Sequence, residues 1–265
     1  MSALRSSWLI LVAAGVLAVL FWFRPGGIDG PRPEPVPMDG KGFDHGGLTA
    51  VLEAVVTADG LIDYAALKAD PAPLDRYLGQ LRAVSPANAP HRFRTADDRL
   101  AYYINAYNAF VLAAVRDDCP SDGVQSMYGG GLFWKVDFLT GGDEVTLSVL
   151  EGELIDGVSE RDPSVRFALI KGAKGLPVFR RAAYSGEAVR AELKATAEAA
   201  LADARIAERK DATLYLSSLF EDYAVDFAPG VEQWIGRIRP ALTADGPTIS
   251  YRPFDWSLNG RCPGQ

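Results

Sequence analysis

The chain is predicted to be α+β: a helix-rich single domain with a small β-sheet around a buried central helix, preceded by one N-terminal transmembrane helix. Three observations point there. The stretch Leu100 to Val115, LAYYINAYNAFVLAAV, is uninterrupted by Gly or Pro and carries apolar residues on every face, the pattern of a helix buried on all sides. Short strand-like runs are scattered between longer helical patterns, with no alternating βα series and no nucleotide fingerprint, which disfavours a dinucleotide-binding fold. Trp8 to Phe23, WLILVAAGVLAVLFWF, is a continuous apolar run at the start of the chain.

Residues 1–23 are read as a signal anchor. Arg5 and Arg24 flank the run, Ser6 and Ser7 extend it toward the roughly 20 residues that span a bilayer, and Trp and Phe sit at both ends. It closes on bulky Phe21, Trp22 and Phe23 with no small-residue cleavage pattern directly after, so an anchor is favoured over a cleaved signal peptide. In a bacterial cell this predicts the inner membrane, single pass, with the globular part on the periplasmic side. Secretion after cleavage is the alternative. Residues 24–42 carry Pro at 31, 33, 35 and 37 and read as an extended linker holding residues 43–265, the globular domain, off the membrane.

Within that domain, Leu48 to Ala58 reads as an amphipathic helix, and LIDYAALKAD with PLDRYLGQLRAV as a turn and a second helix. Thr95, Asp97 and Asp98 supply helix-start chemistry for the central helix. Its two amides, Asn105 and Asn108, project from one side at i, i+3. They must find partners there, because an unpaired buried amide costs about 1–3 kcal/mol. The three glycines at 129–131 read as a turn before a strand at Phe133–Phe138. Val145 to Ile155 reads as a short strand passing into a helix, with Glu151 or Glu153 facing inward or both on the surface.

Val165 to Ile170 reads as a strand, and KGAKG as a loop leading into a helix with Pro177 in its first turn. Gly172 and Gly175 would let backbone amides converge beside Lys171 and Lys174, a setting that favours an anion; two solvated lysines are the plain reading. Arg166 faces that side or the other. Gly186 to Ile206 reads as a long amphipathic helix. ATLYLSSLFEDYAVDF offers a strand, a short helix and an acidic-aromatic patch of Glu221, Asp222, Tyr223 and Asp226. Val231 to Arg239 reads as a further helix, and TISYRPFDWSLNG as a strand-like tail folded back on the domain.

Composition narrows function. With 27 Lys and Arg against 34 Asp and Glu, net charge −7, the chain is not built to bind nucleic acid. Two cysteines and two histidines, His45 and His91 in loop contexts, leave little for a metal site or a histidine triad, and neither a metal nor a cofactor is expected.

The blocks LIDYAALK, LAYYINAYNAFVLAAV, DPSVRFALIKGAKGLP, LYLSSLFEDYAVDF and YRPFDWSLN together resemble the domain of unknown function 547 family, from about Phe43 to Gly260, with INAYN the most specific. The resemblance implies bacterial proteins, often exported, and plant proteins fused to other modules; it implies no activity. The family pattern has a histidine where Arg166 stands and cysteines where Lys171 and Leu176 stand. A thiol at a helix start is a nucleophile or redox centre, whereas leucine is neither. The resemblance therefore implies a member without the family's reactive positions, and Cys119, in another loop, does not replace them. In an exported chain Cys119 and Cys262 are read as a disulfide tying the tail to the end of the central helix, the alternative being two free thiols.

The leading expectation is a membrane-anchored extracytoplasmic binding or accessory module of uncharacterised function, with the balance leaning away from an enzyme. Its partners would be the membrane through the N-terminal helix, and a small anionic ligand or an envelope protein. Its candidate ligand-binding residues are Asn105, Tyr107, Asn108, Glu151, Arg166, Lys171 and Lys174. The rival is a cysteine-independent hydrolase or transferase acting on an envelope substrate, with Asn105 or Asn108 donating to an oxyanion and Tyr107, Glu151 or Lys171 as acid or base. In a third reading the asparagines only brace the core.

Overall fold

The structure, a computed structural model, describes residues 27–264. The chain enters through strand β1 (Ile28–Asp29). Helix α1 (Gly46–Val55) follows, then β2 (Ile62–Asp63), α2 (Tyr64–Ala69), α3 (Ala72–Ala83) and the central helix α4 (Ala96–Asp118). Strands β3 (Val136–Thr140) and β4 (Asp143–Val145) lead into a helical run, α5, over 147–159. Helix α6 (Val189–Ala202), strands β5 (Ala207–Lys210) and β6 (Thr213–Ser217), α7 (Leu219–Asp222), α8 (Val231–Ile238), β7 (Thr248–Arg252) and β8 (Gly260–Arg261) complete it.

Helix α4 begins where its sequence says it should. The Thr95 hydroxyl accepts from the Asp98 amide and the Asp98 carboxylate accepts from the Thr95 amide, a reciprocal cap. At 23 residues it runs about 35 Å. Its second half belongs wholly to the interior: Ile104 through Arg116 are all buried. Arg116 tolerates this because its guanidinium reaches Asp75 of α3 at 2.6 Å and Asp117 at 2.7 Å. The helix ends on Cys119 in the left-handed region, φ 48°.

The main core forms around α4, with α2, α3 and α5 packed on it and α1 packed on α3. A second apolar cluster gathers Phe167, α6, the sheet β5–β6–β7 and α8, and Leu176 is one of its buried members. The sheet elements are small: β1–β3–β4, β2–β8 and β5–β6–β7. Strand β1 runs parallel to β3 (Ile28 opposite Val136), β2 parallel to β8, and β6 pairs antiparallel with β5 and parallel with β7.

Several sequence expectations change. The fold is α+β with helices and small sheets, but three sheets stand among the described residues where one was expected. The transmembrane part of the predicted class is corrected: no helix among the described residues is long and apolar enough to cross a membrane. Residues 1–23, to which the apolar run assigns that helix, lie outside the described residues. From residue 27 the Pro-rich stretch is extended, as its prolines require, yet it lies on the domain and is no free spacer. The Val36 amide donates to Gly79, and Arg82 and Arg92 donate to the carbonyls of Pro33 and Met38.

The stretch expected as a strand at Val165–Ile170 is a 3₁₀ turn, Pro163–Phe167, because Asp162 caps the Ser164 amide and Pro163 presets the first turn. No helix starts at Pro177; the chain stays irregular until α6. The disulfide is present, Cys119 to Cys262, with Cα atoms 5.9 Å apart.

Candidate functional site

The α5 run widens into a π-helical turn at Leu150–Ile155, and a one-residue widening of this kind swings a side chain off its regular heading. Here it holds Glu151 buried, facing α4. The 3₁₀ turn at Pro163–Phe167 directs Arg166 inward from the opposite side. Asn108 then holds the chain beyond it: its Nδ2 donates to the Ala168 carbonyl at 3.0 Å and its Oδ1 accepts from the Ile170 amide at 2.7 Å. That grip delivers Lys171 to the interior. Gly172, at φ 69°, turns the chain away again in a space where a Cβ would meet Val124 Cγ1 at 2.7 Å.

These side chains converge in a closed ion network. Lys171 Nζ donates to Glu151 Oε2 at 2.8 Å, and Arg166 Nη1 to Glu151 Oε1 at 3.0 Å. Arg166 also reaches Asp156 Oδ1 at 2.6 Å and Asp226 Oδ2 at 2.7 Å. The Tyr223 hydroxyl donates to Glu151 Oε1 at 2.8 Å, and its ring lies 4.5 Å beneath the Arg166 guanidinium. Tyr107 completes the shell, its hydroxyl 3.5 Å from Lys171 Nζ.

Electrostatics fix the protonation states. Burial works to lower the Lys171 pKa, but the Glu151 carboxylate outweighs it and holds the ammonium well above its ordinary value. Burial works to raise Glu151, and the charge and hydrogen bond of Lys171, with Arg166, bring it below the usual carboxylate range. Burial pushes the Tyr107 and Tyr223 phenols up. Lys171 and Glu151 are thus held as an ion pair at neutral pH, and neither is poised to exchange a proton.

A cavity of about 390 Å³ opens above it. Lys171 and Glu151 form part of its floor, with Ser148, Asp222 and Tyr223 beside them. Its walls are aromatic: Phe133, Trp134, Phe254 and Trp256. Phe254 and Trp256 have ring centroids 4.7 Å apart, and Phe133 meets Trp256 edge-on at 6.2 Å. A second depression, on the Asp156, Arg166 and Asp226 side, shares Ser148, Glu151, Asp222 and Tyr223 with the first.

Of the seven ligand-binding candidates, four meet here: Tyr107, Glu151, Arg166 and Lys171. Asn108 acts one step back, on the backbone that carries Lys171. Asn105 lies elsewhere, exchanging hydrogen bonds with the Tyr184 amide and carbonyl at 2.9 and 2.8 Å. Lys174 is exposed, away from the network, and its backbone pairs with Ser257. The anion site expected at a helix start beside Lys171 and Lys174 is not formed, because no helix begins there and Lys171 is already neutralised. Sequence reasoning misses the cavity walls and the roles of Asp156, Tyr223 and Asp226. The acidic-aromatic cluster of Tyr223 and Asp226 is the available signal.

No group of His, Cys, Asp and Glu among the described residues is arranged to hold a metal ion. Both cysteines are consumed by the disulfide. The Ser148 hydroxyl has Thr146 as its neighbour, at 3.2 Å, instead of a base. Fold and site thus define an α+β domain with a buried ion network under an aromatic cavity.

Residues 91–199 match the family model described as "Protein of unknown function, DUF547". The matched stretch is narrower than Phe43 to Gly260; it holds Tyr107, Glu151, Arg166 and Lys171, while Tyr223 and Asp226 lie beyond it. No curated protein and no solved structure matches the chain.

Proposed function

We propose that this chain is an extracytoplasmic binding or accessory module, and that its cavity takes a small ligand. One observation carries the reading: a charged pair, Lys171 and Glu151, is held at the floor of an aromatic cavity. Ligand pockets have this character, mostly apolar walls with a few placed polar groups. The Cys119–Cys262 disulfide supports an oxidising compartment.

Catalysis has less support. A lysine held charged is not a base or a nucleophile, and burial keeps Tyr107 protonated. Arg166 and Lys171, where the family pattern has a histidine and a cysteine, build an ion network in place of a thiol centre. A small anion is also disfavoured, since Glu151, Asp156 and Asp226 already offset both buried cations.

The test is a thermal-shift screen of the full-length chain against neutral, cationic and anionic small molecules. A ligand at about 100 times its Kd adds about 2.7 kcal/mol of stability. In a domain of this size that raises Tm by about 5 °C or more. The shift should fall by about half or more in Trp134→Ala, whose side chain is exposed and outside both cores. If no class of compound moves Tm, the binding reading falls.

A further inference from the structure

We infer that the ligand of this cavity is a neutral saccharide, an inference that rests on the binding reading above. The cavity's fixed charges and engaged ring faces weigh against a charged ligand. An anion would approach two carboxylates that share the cavity, Glu151 on the floor and exposed Asp222 beside it. A cation would meet the Lys171 ammonium, which already lies 5.8 Å from the Phe133 ring centroid and 5.5 Å from that of Tyr223. The Phe133 and Tyr223 faces are thus already engaged by a resident cation, which disfavours a second one beside them. What remains is a ligand without net charge.

The walls and floor define its chemistry further. Trp134 lines the cavity and is 59% exposed, a large flat ring open to solvent at the mouth. Phe254 and Trp256 continue the aromatic surface inward. Below them stand an N–H donor, Lys171, and a carboxylate acceptor, Asp222. A ligand satisfying both must accept and donate hydrogen bonds from neighbouring atoms while presenting an apolar face to the rings. Vicinal hydroxyls on a pyranose do the first, and the axial C–H face of the same ring does the second. A small amide or alcohol can also accept and donate, but only a saccharide repeats that pair around a ring whose C–H face suits the aromatic walls. The volume of about 390 Å³ lies within the range of small-ligand pockets.

Trp134 and Trp256 make the binding directly observable. Tryptophan fluorescence of the full-length chain is titrated with N,N′-diacetylchitobiose and with cellobiose, and in parallel with choline and with benzoate. The expected result is a saturable change with at least one disaccharide and none with choline or benzoate. Trp134→Ala should raise the Kd by about tenfold or more, the loss of one stacked ring. Asp222→Asn, also exposed, should raise it too, by removing the acceptor's charge. Saturation by choline or benzoate alone overturns the saccharide inference and leaves the binding reading intact. Saccharide binding that is unchanged in both Trp134→Ala and Asp222→Asn overturns the assignment to this cavity. No saturation by any of the four, together with a flat thermal-shift screen, overturns both readings.

Discussion

The Lys171 ammonium lies 2.8 Å from the Glu151 carboxylate, and both side chains are buried. Glu151 also receives Arg166 and the Tyr223 hydroxyl, so one carboxylate satisfies three donors. Tyr107 of α4, 64 residues from Lys171 in the chain, is brought to the same point. The pair joins the core to the cavity.

Removing one member of a buried ion pair costs about 3–5 kcal/mol, the low end where other donors still hold the charge left behind, as Arg166 and Tyr223 hold Glu151. Lys171→Met should therefore destabilise the chain by about 3 kcal/mol or more. Glu151→Gln should cost at least as much, since it weakens the contacts of Lys171, Arg166 and Tyr223 together. Urea denaturation at pH 7 measures both. A Lys171→Met variant within about 0.5 kcal/mol of the parent would behave as a surface pair does, and would refute this account of the network.

The two asparagines of INAYN divide a single structural task. Each amide pairs with the amide and carbonyl of a passing backbone, as a strand partner would: Asn105 with Tyr184, Asn108 with Ala168 and Ile170. Alanine at either site leaves buried backbone groups without partners, at about 1–3 kcal/mol for each group. Both variants should lose about 2 kcal/mol or more in urea melts. Only Asn108→Ala should also weaken binding of any ligand found for the cavity, because Asn108 holds the backbone that leads to Lys171. Equal effects of both variants on binding would contradict that division.

The central helix is legible in the sequence because its cap and its all-round apolarity are local features. Thr95 and Asp98 announce the start, and two buried amides announce a need for partners. The identity of those partners is not legible, since Tyr184 and Ala168 lie 79 and 60 residues away. Val165 to Ile170 reads as a strand from its side chains alone. The neighbouring Asp162 and Pro163 override that propensity with a capped turn, which is what aims Arg166 inward. The cavity is the least legible part. Phe133 and Trp134 precede β3 while Phe254 and Trp256 sit in the tail, and no local periodicity connects them. Leu176, conspicuous as a departure from the family pattern, is packing: it belongs to the second core.

His45 gives the chain a measurable pH response. Its ring is half-buried against Phe43 and Tyr77, with Nδ1 2.7 Å from the Tyr77 hydroxyl. Burial pulls its pKa from 6.5 down to about 4, against the charges of Asp44 and Asp98, which act to raise it. As pH falls below about 6.5 the unfolded chain takes up a proton that the folded chain refuses, so stability drops toward pH 4 and this contribution then levels off. One proton gives a slope of at most about 1.4 kcal/mol per pH unit, less for a ring partly open to solvent. Urea melts at pH 7, 6 and 5 should show the decline in the parent and a flatter profile in His45→Gln. Equal slopes in the two would remove His45 as its source.

The Cys119–Cys262 bond should stabilise the chain without shaping the cavity. It closes a sequence separation of 143, and a loop of that order restricts the unfolded chain by up to about 5 kcal/mol in the chain-entropy model. In the folded state the tail is held independently. The Ile62 amide donates to Asn259, the Asn259 amide to Gly172, and the Lys174 amide to Ser257. The Tyr64 hydroxyl donates to the Asn259 side chain at 2.9 Å. Those bonds keep Phe254 and Trp256 in the cavity wall when the disulfide is gone. Combined Cys119→Ser and Cys262→Ser should therefore lower stability by about 3–5 kcal/mol and steepen the urea dependence, because the unlinked unfolded chain exposes more surface. Ligand affinity, measured well below the new midpoint, should not change. A stability loss below about 1 kcal/mol would show that the cross-link adds little to what the tail's hydrogen bonds already hold. A large loss of affinity at unchanged fold would show that the bond positions the aromatic wall directly.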